Sequence, residues 1–215
     1  MKLKWTNPIP VWPRIVTVVL LVTVTCFLVA AQFSVVESTN IPTTARIAEL
    51  EDNEQTLNLA VEFGFDPIIV QITRQLAAQE FQKRYCTCKT WRFVRTDDDL
   101  AYLLLSLIQI ESRGDYRAIN TTGPAYGLTQ FIMSTARQYD KGITQVELLT
   151  IPRHMELATQ HFVDLLEQAG GNHMLAVAAW NQGSGVIRRA EALGSYPGNM
   201  YANTVLTRSL MRNAQ

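Results

Sequence analysis

The sequence predicts a mostly α-helical domain set behind an N-terminal membrane-spanning helix and a short helical linker region. Three observations carry that expectation. From Ile15 to Val36 run 22 residues without a charge, and a helix needs about 20 apolar residues to cross a bilayer. Further along, apolar residues recur at three- and four-residue intervals, the period of an amphipathic helix. No alternating apolar–polar pattern of any length competes with them.

Lys2, Lys4 and Arg14 precede the apolar run and Glu37 follows it. By the positive-inside rule residues 1–14 stay in the cytoplasm and the chain beyond the membrane is exported, with Trp5 and Trp12 at the entry interface. A cleavable signal ending near Val29-Ala30-Ala31 is the competing reading. The apolar run continues past that point, which favours a retained anchor over residues 15–36. Cys26 lies inside the run and follows Val24-Thr25, not the small residues of a lipid-attachment site. Residues 37–43, with Pro42, read as a tether. Ile47, Leu50, Leu57, Ala60 and Val61 then form a loosely helical face that Gly64 breaks. Asp66-Pro67 supplies a cap and a first helical position, with Ile68, Ile69, Ile72 and Leu76 as the apolar face running towards Lys83. These two helices pack on the following domain or present a surface to a partner. Residues 85–96 are a surface loop or a short strand. Cys86 and Cys88 are too close for a relaxed mutual disulfide and lack further metal ligands nearby.

Asp97, Asp98 and Asp99 open the next helix, where negative charge suits the first turn and an aspartate can cap it. Leu100, Leu103, Leu104, Leu107 and Ile108 form its buried face, and the next position on that face is Glu111. A carboxyl group thus stands at the end of an apolar stripe, just before Gly114 ends the helix. Desolvation and the negative helix terminus both favour its protonated form. A carboxyl group kept protonated near neutral pH is suited to general-acid chemistry on a glycosidic bond.

After Phe131-Ile132-Met133, Ser134 can begin another helix. Met155, Ala158, His161, Phe162, Leu165 and Leu166 mark a long amphipathic helix ended by Gly170-Gly171. His154, His161 and His173 have neither a nucleophile partner nor ligand spacing, so they read as structural. Asn172 caps Met174 to Trp180, whose small residues permit close helix approach. Helices follow over Val186 to Leu193 and Met200 to Met211, separated by a turn at Tyr196-Pro197-Gly198-Asn199. Lys plus Arg equals Asp plus Glu at 19 each, so bulk charge argues for neither nucleic acid nor an acidic polymer as partner. No metal site and no cofactor is expected.

Glu111-Ser112, Ala118-Ile119-Asn120, Gly123 and Gly127-Leu128-Thr129-Gln130-Phe131, in that order, resemble the soluble-lytic-transglycosylase (goose-lysozyme-like) family. Ala179-Trp180-Asn181-Gln182-Gly183 looks like that family's Ala-Tyr-Asn-x-Gly, and Tyr201 ahead of Val205-Leu206 like its C-terminal tyrosine. The resemblance covers about Asp97 to Leu210. It implies a lysozyme-like catalytic domain over residues 96–215 and says nothing about residues 1–95, where the tether and helical pre-domain over 37–95 are read from the residues themselves. It also implies cleavage of peptidoglycan with formation of a 1,6-anhydro sugar, Glu111 serving as single acid and base. By the same resemblance Ser112 fixes the local backbone, Gly127 and Leu128 lie where chain meets sugar, and Gln130 meets N-acetyl groups. Trp180 gives an aromatic wall, Asn181 lies near the carboxyl group, and the Tyr201 phenol binds Glu111. Departures are Trp180 for tyrosine, Asn120 where serine is common, and an added Pro124. The partners implied are glycan strands and the inner membrane, with an envelope-spanning secretion, conjugation or phage machine as a further one. A hydrolase of the same fold and a catalytically idle wall-binding subunit are the alternatives.

Overall fold

The computed structural model describes residues 43–84, 94–194 and 199–210, with side chains from Asp52 to Ser209 within those spans. The apolar segment 15–36, Cys26, Cys86 and Cys88 lie outside the described residues, as does most of the turn expected at 196–199. Among the described residues no helix is long and apolar enough to cross a membrane. The chain divides into two units, Met1–Asn53 and Glu54–Gln215. Of the first, the described part is the helical backbone from Thr43. The second carries the hydrophobic core.

Helix α1 (Thr43–Phe63) and helix α2 (Pro67–Arg84) form where the sequence places them, with the Asp66 carboxylate accepting from the Ile68 N–H. Their buried faces match the expected ones in part: Ala60 and Ile69 are buried, and Ile72 and Leu76 pack against the same core. Leu57 and Val61 are exposed while Thr56, Leu59, Ala60 and Phe63 are buried, and α2 buries Val70, Thr73 and Ala77 instead of Ile68. Thr73 is tolerated inside because its hydroxyl donates to the Ile69 carbonyl at 2.7 Å.

Helix α3 (Asp97–Glu111) is the centre of the unit. Its cap is Thr96, not an aspartate. Thr96 Oγ1 accepts from the Asp99 N–H at 3.1 Å and Asp99 Oδ2 accepts from the Thr96 N–H at 3.0 Å, a reciprocal capping box. Every residue from Leu100 to Ile108 is buried, so the helix is apolar nearly all round and not merely along one stripe. The reason is packing on opposite faces. Tyr102, Leu105 and Ile108 join Phe63, Ile69 and Val70 in one core. Leu103, Leu104 and Leu107 join Phe162, Leu166, Ala176, Ala179 and Val205 in another. Burying each leucine contributes about 1.5–3 kcal/mol. Ser106, the polar residue in this stretch, donates to the Tyr102 carbonyl at 2.8 Å.

Beyond α3 lies a small antiparallel sheet of two-residue strands in the order β1 (Ile119–Asn120), β2 (Ala125–Tyr126), β3 (Phe131–Ile132). Ile119 pairs with Tyr126, and Ala125 with Ile132. Strands this short cannot show alternation in sequence. Then come α4 (Met133–Tyr139), α5 (Gln145–Leu148), α6 (Ile151–Gln168), α7 (His173–Gln182), α8 (Gly185–Leu193) and α9 (Met200–Leu210). Asn172 caps α7 by accepting from the Leu175 N–H at 3.1 Å, as the sequence leads one to expect. The run Ala176, Val177, Ala178 and Ala179 is wholly or almost wholly buried, letting α7 approach its neighbours closely.

Candidate active site

Glu111 is the last residue of α3. The helix ends there because Ser112 and Arg113 both donate to the Ile108 carbonyl at 3.0 Å, and Arg113 takes a left-handed backbone at φ 58°. Gly114 follows at φ 87°, and a Cβ on it would lie 2.7 Å from the Phe65 ring. Only glycine lets the chain turn at that point. Ser112 Oγ accepts from the Gly114 N–H at 3.2 Å. It supports the turn and does not line the cavity beyond.

That cavity, about 510 Å³, is lined by Glu111, Asn120, Gln130, His161, Trp180 and Asn181 together with residues of the small sheet. Among the described residues Glu111 is its one carboxyl group. From α9, Tyr201 donates its phenol proton to Glu111 Oε1. Burial pushes the Glu111 pKa up, against the Tyr201 hydrogen bond and the nearby Trp180 indole, which favour the charged form. The net direction is upward, as a general acid requires. Tyr201 is itself pushed far up, by burial first and then by the Glu111 charge, so it remains a donor.

The segment Gly127 to Gln130 forms the base of this wall. At φ 68°, Gly127 faces His154, and a Cβ there would lie 2.7 Å from His154 Nδ1. Its missing side chain makes room for an imidazole, not for a sugar. Leu128 is wholly buried with Ile108 and Met155. It cannot touch a ligand. Thr129 N–H donates to His154 Nε2 at 3.1 Å, while His154 Nδ1 lies 2.9 Å from the Leu148 carbonyl. The ring therefore carries its proton on Nδ1 and ties the segment to α5 and α6. Burial holds its pKa down to about 4. Gln130, left-handed at φ 49°, donates through Nε2 to the Gly127 carbonyl at 3.0 Å and the Ala118 carbonyl at 3.3 Å. Both amide protons serve the loop, so Oε1 is the end left for a ligand.

Trp180 lies half-buried near the C-terminal end of α7, with exposed Asn181 beside it at the cavity rim. Its ring stacks on Phe131 with centroids 5.5 Å apart and lies 5.3 Å from His161. It is a support for the cavity floor as well as a wall. The structure thus brings Glu111, Gln130, Trp180, Asn181 and Tyr201 together, and places Ser112, Gly127 and Leu128 behind them.

Sequence reasoning passed over Thr135 and His161, both of which line the cavity. His161 occupies an apolar-face position of α6, and that position was the available signal. Three other acids of the domain have structural partners. Asp140 pairs with Arg153, Glu147 closes the α5 capping box with Thr144, and Asp164 lies 2.9 Å from Arg84. Among the described residues no cluster of His, Cys, Asp and Glu could hold a metal ion.

Residues 95–197, a little under half the chain, match the family described as "Transglycosylase SLT domain". Among curated proteins none matches the sequence. Among solved structures, the chain is similar to an inactive mutant of the lytic transglycosylase Slt from Pseudomonas aeruginosa, at 20% identity and a TM-score of 0.46 over 73% of this chain and 29% of that one. The 70 kDa soluble lytic transglycosylase from Escherichia coli is similar at 18% identity and a TM-score of 0.45, over 82% of this chain and 36% of that one. The chain thus spans about a third of the length of these structures. What these comparisons tie to the transglycosylase SLT domain is the stretch 95–197, which matches that family's pattern.

Proposed function

We propose that this protein is a peptidoglycan lytic transglycosylase held at the inner membrane by residues 15–36, with its catalytic domain in the periplasm. The observation that carries the reading is a sugar-sized cavity with one carboxyl group, Glu111, desolvated and bound by Tyr201. Ordinary glycoside hydrolysis needs two carboxyl groups. A reaction whose nucleophile belongs to the substrate needs one.

Protonated Glu111 gives its proton to the glycosidic oxygen between N-acetylmuramic acid and N-acetylglucosamine, and the C1–O bond breaks. The carboxylate then takes the proton of the muramic C6 hydroxyl, whose oxygen bonds to C1 and closes the 1,6-anhydro ring. An intramolecular hydroxyl is already positioned, which supplies much of the rate. Tyr201 and the Trp180 indole stabilise the carboxylate between the two transfers. Gln130 Oε1 and the Asn181 amide are placed to hold the glycan. Anchored in this way, the enzyme opens strands on the membrane side of the wall, where an envelope-spanning machine needs a passage.

Digestion of purified murein followed by mass analysis tests the reaction. Anhydro-muropeptides, lighter by one water than reducing-end products, are expected. Reducing-end products would instead make it a hydrolase, and intact murein a binding subunit. The mass of the N-terminal fragment from membrane-extracted protein tests the anchor, and loss of the first residues up to Ala31 would refute it.

A further inference from the structure

On α6, His161 borders the same cavity as Glu111 and is held in one protonation pattern by a chain of contacts. Tyr139 has a single phenol proton and lies 2.7 Å from Asp164 Oδ2 and 3.1 Å from His161 Nδ1. Asp164 is ion-paired with Arg84 at 2.9 Å, so it accepts and the phenol donates to it. The phenol oxygen is then left to accept, and the imidazole must supply a proton from Nδ1. Burial keeps the ring neutral down to about 4, against the pull of the Asp164 charge, so one proton is all it carries. Burial and Asp164 together push the Tyr139 pKa well up, so the phenol keeps its own proton.

Nε2 is consequently bare. It has no partner among the described residues and is not sealed from solvent. Phe131 and Trp180, with centroids 5.5 and 5.3 Å from the imidazole, fix the ring plane. The cavity therefore presents a fixed hydrogen-bond acceptor beside the general acid.

Resting on the glycan-cleaving reading, we propose that His161 is a substrate-binding residue whose Nε2 accepts a hydrogen bond from an uncharged donor of the sugar, an acetamido N–H or a hydroxyl. A bare nitrogen offers nothing to a carboxylate or phosphate, so the subsite selects a neutral N-acetyl sugar over an anionic one.

Long-range proton–nitrogen spectra of the full chain test this directly, because three histidines are easily resolved. His161 is expected to show a protonated Nδ1 and a bare Nε2. Titration with tetra-N-acetylchitotetraose should move the His161 Nε2 and Trp180 indole resonances together and leave His154 unmoved. A protonated Nε2, or a Trp180 signal that moves while Nε2 does not, overturns the proposal. If neither moves and murein is left intact, the cavity does not hold an N-acetyl glycan and both proposals fall. Murein digestion to anhydro products with an unmoved Nε2 sinks this one alone. In the Glu111→Gln background, which blocks turnover, His161→Asn keeps a donor for Tyr139 and leaves no acceptor at the Nε2 position, because the Oδ1 of the shorter side chain stops at the level of Cδ2. It should weaken binding of the oligosaccharide about fivefold to tenfold, and unchanged binding would contradict the assignment.

Discussion

Two tyrosine–carboxyl pairs in this domain share the same hydrogen bond and differ in one neighbour. Tyr201 donates to Glu111 and Tyr139 donates to Asp164. Asp164 also meets Arg84, whose guanidinium gathers Glu80 at 3.0 Å and Glu167 at 2.7 Å as well. Glu111 has no ion pair with Lys or Arg among the described residues, and burial sets the direction of its pKa. With a cation present the carboxylate is a fixed acceptor that orders Tyr139 and His161. Without one, the carboxyl group can take and release a proton. A side chain's residue type says little about its role here. The charges beside it say most.

The largest test removes that difference at the Glu111 pair. Glu111→Gln should lower murein lysis by about three orders of magnitude, measured as anhydro-product release, while Asp164→Asn keeps a readily measurable rate. Tyr201→Phe removes a donor that favours the charged form of Glu111. It should cost about tenfold in rate and move the alkaline limb of the pH–rate profile upward. At the structural pair, Arg84→Met leaves poorly exposed Glu80 with only the solvent-exposed Lys83 as a cation and should cost about 1–2 kcal/mol in urea unfolding, discounted because Asp164 and Glu167 are partly solvated.

The smallest test is thermodynamic. His154 and His161 fold with pKa values of about 4 against 6.5 in the unfolded chain. Acidification from pH 6.5 towards 4 therefore protonates the unfolded state first, and stability falls across that window. Burial shifts His173 in the same direction. Glu111, with a raised folded pKa, binds its proton more tightly when folded and opposes the trend. Urea midpoints measured against pH should accordingly fall more steeply for Glu111→Gln than for the parent, and parallel curves would argue against a raised Glu111 pKa.

The periodicity of α3 and the position of Glu111 on it were legible in sequence, because an apolar run with a polar residue in register is a local signal. The faces of α1 and α2 were legible in part: Ala60, Ile69, Ile72 and Leu76 lie against the core, but Leu57, Val61 and Ile68 are apolar yet exposed, and only the partner surfaces decide which residues turn inward. The two-residue strands left no pattern to read. Gly127 and Leu128 were read as sugar-facing, but Gly127 makes room for His154, 27 residues further along, and Leu128 is buried in the core with Ile108 and Met155. His161 was passed over for a related reason. An imidazole on an apolar helix face looks like core until Tyr139 and the cavity are seen beside it.

Of the four tryptophans, Trp180 is the one within the described residues, and it meets three members of the proposed site: Phe131 by stacking, His161 by ring contact, Glu111 through its indole. Its emission is thus a built-in optical gauge of occupancy. A glycan entering the cavity would strip water from the indole and shift its fluorescence to the blue, so ligand arrival could be followed in real time without attaching a dye.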